Sequence, residues 1–500
     1  MNAQESTPLL GSVANARTIQ PVLRLPPISL AVRSVAALEA DQIRFENIVN
    51  YDAFNFEDHP TEVAYALVVL LYLRNRRRKS SPAHDLYERW LSMKVDAHDA
   101  QILEKQVANI WTLFLAEYRT AHNIATVLWS QFPLDDSETK SYRVVDFLAD
   151  SDSLLSLTAH PLVISSLEHA WRYGVSVGPA PLSNSVWLTR YDALATPRVA
   201  HFIDWISRVA FLVLLYHYLL YPIERPHTSD DWWEYRYGAR EIFLIILPLS
   251  FAARSWTLAS ISSLLVPLAF LASLSSAPHP ASFTFTFIQW AAILQPIGLN
   301  LPQAPSHLFL LQHSHSLPLA FLVTRGLSKI LYPAILFFLP LILLATYLLS
   351  LSLVDAFFRL FSGQFNPTPM ETRFTFLCFL LIVIILFFSS ILFLATTTFS
   401  SPVPPDPWEI YSPVAGHAAR RACARATVSY IGPYTYPAPF NLLRILFICV
   451  PQGVTRRLKV HVPGLTVAER ALWRIVVGPF TTFVALLFWR PRWLLPYSGV

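Results

Sequence analysis

The stretch "DAFFRLFSGQFNPTPMETRF", residues 355–374, lies between two of the longest apolar runs of the chain and gathers oxygen donors around a single glycine. Ser362, Gln364 and Asn366 cluster about Gly363, and Asp355 and Glu371 are the acids of the loop. A path that strips water from a cation must replace the lost oxygens with carbonyls or with a ring of carboxylates. The "FSGQFN" segment offers backbone carbonyls and side-chain oxygens, and Gly363 lets the backbone bend to present them. Asp355 and Glu371 would then stand at the outer mouth and concentrate divalent cations. The same residues also describe a plain linker. Arg359 and Arg373 sit four and two residues from the acids, close enough to neutralise them. Asn366-Pro367-Thr368-Pro369 is a rigid turn sequence.

Whatever the loop does, apolar helices must position it. Of 500 residues, 54 % are hydrophobic and 14 % are charged, with a mean hydropathy of +0.41. Such a composition belongs to an integral membrane protein. The charge is concentrated in the first 200 residues, and six runs near spanning length follow: 202–223, 232–253, 257–276, 283–301, 330–353 and 374–399. A short linker helix is expected at 318–324, ahead of the fifth run. The polar, proline-bearing start lacks the apolar core of a signal peptide, so the N-terminus is expected in the cytosol. Cytosolic connections then carry Arg254, Arg325, Lys329, Arg420, Arg421 and Arg425. The opposite face carries Asp230, Asp231, Glu234 and Glu241 against Arg225, Arg236 and Arg240. That is the positive-inside arrangement. In the sixth run Leu377, Leu381, Ile384 and Phe388 recur at helical spacing, an apolar wall that could gate by dewetting around Ile384 to Phe388.

The flanks divide simply. Residues 1–35 are expected to form a disordered tail, in which Glu5, Leu9 and Leu10 of "ESTPLL" fit an acidic dileucine sorting pattern. Residues 36–200 are expected to form a cytosolic helical domain. Within it "EVAYALVVLLYL", 62–73, is too short to span a bilayer and ends in the basic cap "RNRRRK". A buried helix with a solvated basic end and a contact with acidic headgroups both fit it. Residues 99–118 read as a packed amphipathic helix. Residues 201–400 are the six-span domain with the short loop 355–373. Residues 401–500 hold further apolar helices at 439–452 and 470–489. Four arginines bracket the second of these, so it is expected to lie along the membrane or pack on the body, with a seventh span as the alternative.

Six spans, with a linker helix before the fifth and a loop before the sixth, match the plan of tetrameric cation channels. Particular residues sharpen the likeness. Leu167 and Trp171 precede Tyr191, Asp192, Leu194 and Ala195 ahead of the first span. Pro439, Asn441, Leu442, Pro479 and Phe480 follow the sixth. In this order they resemble the fungal vacuolar TRP-type calcium channel family over roughly residues 60–490. The resemblance implies an all-α integral membrane protein with an N-terminal cytosolic helical domain, a six-span TRP-like bundle and C-terminal membrane-associated helices. It also implies a homo-tetramer passing Ca²⁺ and other cations across the vacuolar membrane among its lipids. The loop departs from the family by being shorter and by lacking an acidic filter. The fourth span has no Arg or Lys, so nothing there supports voltage sensing. A non-conducting relative, acting as a structural or regulatory subunit, is the alternative.

Other polar residues in the apolar runs have simpler roles. Asp204 and Arg208, four apart in the first span, are expected to pair. His217 is expected to be a hydrogen-bonded core histidine, and Gln289 and Gln295 to join helices. Cys378, Cys423 and Cys449 are too few and scattered for a disulfide framework or a zinc site. "HSHS", 313–316, lacks a supporting acid for a metal. No catalytic constellation or cofactor motif stands out, and the net charge of +5 is explained by topology without nucleic acid. The chain is therefore expected not to be an enzyme.

Overall fold

A computed structural model describes residues 26–35, 38–49, 58–78, 86–135, 140–150, 154–175, 188, 191–192, 194–222, 238–255, 257–273, 277–280, 282–300, 313–326, 406–432, 434–457 and 465–488. These residues are mostly helical, as expected, and fall into two compact units, Met1–Val144 and Val145–Val500. The fifth and sixth apolar runs lie outside the described residues.

The first unit contains α1 (Ile28–Val35), α2 (Phe45–Val49), α3 (His59–Arg78), α4 (Leu86–Glu117), α5 (Ala121–Trp129) and an antiparallel pair, β1 (Phe132–Pro133) and β2 (Ser141–Tyr142). Every residue from Val63 to Leu71 is buried, so α3 is the central helix, apolar all round because protein covers it all round. Two arginines of its basic end pair with α4, while Arg76 stays exposed. Arg74 pairs with Glu104 at 2.5 Å, and Arg77 pairs with Asp99 at 2.7 Å while donating to the carbonyl of Leu38. The buried-helix reading therefore holds for these arginines. In α4, Ala100, Leu103, Val107, Trp111 and Phe114 form the buried stripe that the 99–118 periodicity predicts.

The second unit follows α6 (Val144–Leu148) with α7 (Leu155–Thr158), α8 (Pro161–Tyr173) and α9 (Pro197–Leu220). α9 begins with Thr196 capping Val199 N–H and Pro197 in the first turn, where its missing N–H costs nothing. α10 (Ala239–Arg254), α11 (Leu258–Ser263), α12 (Leu265–Ala272) and α13 (Phe283–Asn300) complete a bundle with α9. Phe211, Leu215, Tyr218, Leu244, Phe251, Val266, Phe270 and Ile288 share its core. α14 (His313–Gly326) is the expected linker helix, longer than the 318–324 reading. α15 (Pro413–Tyr430) packs on α14, and the chain ends in α16 (Asn441–Arg444), a π turn (Ile445–Cys449), α17 (Val450–Arg457), α18 (Leu465–Val476) and α19 (Gly478–Phe488).

Two expectations need correction. Residues 28–35 of the tail expected to be disordered form the helix α1, with Ile28, Ala31, Val32 and Val35 buried. The third run, 257–276, is not one continuous helix but two short helices, α11 and α12, meeting at Leu264. Pro267 has no N–H for the carbonyl of Ser263. Ser262 and Ser263 also turn their hydroxyls back onto the carbonyls of Ala259 and Ser260, which further loosens the helix. A count of six spans is not confirmed, since the fifth and sixth runs lie outside the described residues. Among the described residues α9 alone is long and apolar enough to cross a bilayer, and α18 with α19 passes only as a pair bent by 48°. The bend follows from Pro479, which cannot continue the helical ladder of α18. α19 packs on α9, with Val484 and Ala485 against Val199 and Ile203.

α11 and α13 approach so closely that only a glycine fits at 298. A Cβ there would sit 2.7 Å from the Cα of Ala259. Small residues permit such backbone contact between apolar helices. Gly298→Leu should therefore destabilise the second unit by about 1–3 kcal/mol, the usual cost of overpacking. A lower unfolding midpoint of the full chain in detergent would report it, and Gly453→Leu, where a Cβ meets nothing within 4 Å, serves as the neutral comparison.

Candidate functional site

The predicted pore residues Asp355, Ser362, Gly363, Gln364, Asn366 and Glu371, the gate residues Ile384 and Phe388, and the sorting residues Glu5, Leu9 and Leu10 all lie outside the described residues. Polar chemistry within the described chain is concentrated elsewhere, where α9, α10 and α15 meet.

Its centre is Asp204, on the N-terminal half of α9 and buried to 4 % exposure. One carboxylate oxygen accepts from Tyr430 Oη at 2.7 Å and lies 2.5 Å from Arg254 Nη1, while the other accepts from the backbone N–H of Ala438 at 2.6 Å. These partners come from the last residue of α15, the last residue of α10 and the segment leading into α16. The expected Asp204–Arg208 pair is thus replaced. Helical spacing brings the two residues to the same side of α9, but Asp204 is saturated by other elements. Arg208 instead lies 5.0 Å from the centre of the Phe251 ring, where the aromatic face stabilises its charge. The Arg254 guanidinium likewise covers the Tyr430 ring at 4.3 Å.

Second contacts lock this centre. Tyr430 Oη also meets His201 Nδ1 at 3.2 Å, and the Tyr430 ring stands edge-on to both His201 and Trp171 of α8, which are tilted against each other. Ser207 Oγ donates to the carbonyl of Ala438 at 2.6 Å. Asn441 donates to the carbonyl of Ser250 at 2.7 Å and accepts from the Ser250 hydroxyl at 2.5 Å, which ties α16 to α10. Burial pushes the Tyr430 hydroxyl well above the ordinary tyrosine range, so it stays protonated and donates to the carboxylate. Burial also raises the Cys423 thiol of α15 to about 12, which leaves it a packing residue without nucleophilic character.

A second ion pair fastens the C-terminal helices. Arg474 of α18 grips Asp192 bidentately, at 2.9 Å and 2.6 Å, and Tyr191 donates to the carbonyl of Arg474 at 3.0 Å. Tyr434 takes a positive φ of 61°, places its hydroxyl 3.3 Å from Asp192 and sets its ring against Trp473. Phe440 meets Phe480 with ring centres 5.0 Å apart. Tyr191 and Asp192, which carried the sequence resemblance before the first span, are thus held by Arg474 and Tyr434 from the C-terminal region. At the base of α15, Arg420 bridges Glu409 at 2.9 Å and Asp406, and Trp171, Leu317 and Trp408 pack around Ala419 and Cys423.

The remaining polar predictions divide. Gln295 does join helices: it accepts from Ser262 of α11 at 2.8 Å while fully buried. Gln289 does not, and is exposed on an open groove of about 600 Å³ between α9 and α13. In that groove Pro296 leaves the Ala292 carbonyl without its helical donor, and Tyr216 Oη supplies one at 3.1 Å. His217 is hydrogen-bonded but exposed, a correction to its core reading. Its Nδ1 accepts from Arg240, which also donates to the carbonyl of Tyr221. No metal-binding cluster occurs among the described residues. No protein-family model matches the chain, and no curated protein matches it either.

With both oxygens of Asp204 partnered by three separate stretches, the cluster clamps these helices together. Removing the carboxylate would leave two buried guanidinium groups without their counter-charge. Asp204→Ala should cost about 3–5 kcal/mol, and Tyr430→Phe, which removes one donor to a charged group, about 1.5–3 kcal/mol. Thermal unfolding of both variants beside the wild type tests this order. Equal losses would show that Asp204 is not the hub.

Proposed function

We propose that the chain is a subunit of a tetrameric, Ca²⁺-permeable cation channel of the vacuolar membrane, similar in plan to the fungal vacuolar TRP-type calcium channels. The observation that carries this reading is the position of α15. This helix follows the predicted sixth span, and a gate in that span can be governed only through what grips its cytosolic end. α15 is gripped from two directions. The linker helix α14, which precedes the predicted fifth span, packs along it through Leu317 and Phe321. The Asp204 cluster bonds its last residue to α9 and α10. A displacement of the α9–α13 bundle would thus pull on both chain ends that enter the pore-forming pair. On this reading six spans cross the bilayer, the sixth lines the path, Ile384 to Phe388 close it, and residues 362–366 cap it. The dileucine pattern of Glu5, Leu9 and Leu10 addresses the chain to the vacuole.

Currents from the purified chain in planar bilayers test the proposal. Phe388→Asn should hold water in the constriction and leave a standing leak, and Gly363→Val should silence conduction by removing the bend. If wild type and both variants stay at background while folded and tetrameric, residues 355–374 are a linker and the chain is a non-conducting subunit. Fluorescence imaging of a tagged chain tests the address. Wild type should mark the vacuolar membrane, and Leu9→Ala with Leu10→Ala should disperse it.

A further inference from the structure

Beyond the clamp, the chain runs outward with an apolar face that nothing in the described structure covers. Leu446, Phe447, Val450 and Val454 are each between 51 % and 60 % exposed, and 446, 450 and 454 recur every fourth residue along one side of the helical stretch 441–457. The buried Ile448 packs the opposite way. We infer that residues 441–457 lie in the headgroup region of the cytosolic leaflet and take anionic lipid as their partner. The inference rests on the membrane reading of α9 and α10 given above.

Two features fix the depth of this helix. Asn441 is bonded to Ser250 and the preceding Ala438 to Ser207, so the helix starts level with those serines. Their chain neighbours Ile206, Val209 and Leu249 are themselves exposed apolar side chains. In a membrane these residues face acyl chains, and the helix therefore begins at the edge of the apolar belt. An amphipathic helix held there gains by burying its apolar side a few ångströms into the leaflet.

Charge selects the partner. Between Asn441 and Thr466 the sequence holds no acid, while Arg444, Arg456, Arg457 and Lys459 are basic. Arg444 is already paired with Glu469 at 2.6 Å, Arg457 is exposed, and Arg456 and Lys459 stand beside it in the sequence. Such a run beside an apolar stripe fits the negative surface of a cytosolic leaflet, which attracts each nearby Lys or Arg. A protein partner would have to answer an apolar stripe and a one-signed charge cluster together, as the leaflet does without further design.

The test uses the full chain with Cys378→Ser and Cys449→Ser, carrying an environment-sensitive fluorophore on Val454→Cys, in vesicles of phosphatidylcholine with or without phosphatidylserine. The label should be quenched by nitroxide lipid, shielded from aqueous iodide, and move deeper when phosphatidylserine is present. Replacing Arg456, Arg457 and Lys459 by Gln should abolish that dependence on phosphatidylserine. Quenching by iodide, or shielding from both quenchers by protein, overturns the inference. An unchanged signal with phosphatidylserine overturns the anionic partner. A label on Val213→Cys, exposed in the middle of α9, separates the two levels. If nitroxide lipid fails to quench it, the membrane reading itself has failed; if it is quenched and the 454 label is not, only this inference has.

Discussion

The second unit depends on a single buried carboxylate. Asp204 would be too costly to hold in an apolar helix unless both of its oxygens were partnered. The partners are Arg254, Tyr430 and the Ala438 N–H, which belong to three stretches far apart in sequence. None of them can leave without exposing the charge to apolar surroundings. The arrangement therefore acts as a joint. It holds the ends of α10 and α15 and the start of α16 against one turn of α9.

The aromatic groups around the joint match this demand. Phe251 and Tyr430 offer ring faces to Arg208 and Arg254, so the positive side of the cluster is stabilised without further acids. Trp171 and His201 wall off Tyr430 from the other side. A low local dielectric strengthens each of these bonds and raises the cost of losing any one. The Asp192–Arg474 pair is a second, more exposed joint, and it fixes α18 and α19 to the segment that enters α9. Together the two joints make the C-terminal helices part of the α9–α13 bundle rather than an appended tail.

Much of the local architecture could be read without coordinates. The apolar stripe of α4, the buried α3 and the linker helix α14 follow from periodicity, which acts over a few residues. Gln295 was legible as a helix-joining residue because an amide in an apolar run must find a partner. Pairing across distance was not legible. Asp204 and Arg208 satisfy the i, i+4 rule that governs isolated helices, yet a bond from Tyr430 and a backbone N–H at 438 compete for the carboxylate.

The sequence alone therefore determined the helical class, the apolar character and the order of the elements, because composition and short-range spacing encode them directly. It also singled out the loop 355–374 by its donors. Only the tertiary structure decided which groups share a charge, that the third apolar run is broken by Pro267 and its serines, and that residues on either side of the predicted spans meet at Asp192 and Arg474. Those outcomes depend on which surfaces close over one another, and burial sets the worth of every hydrogen bond and ion pair it encloses.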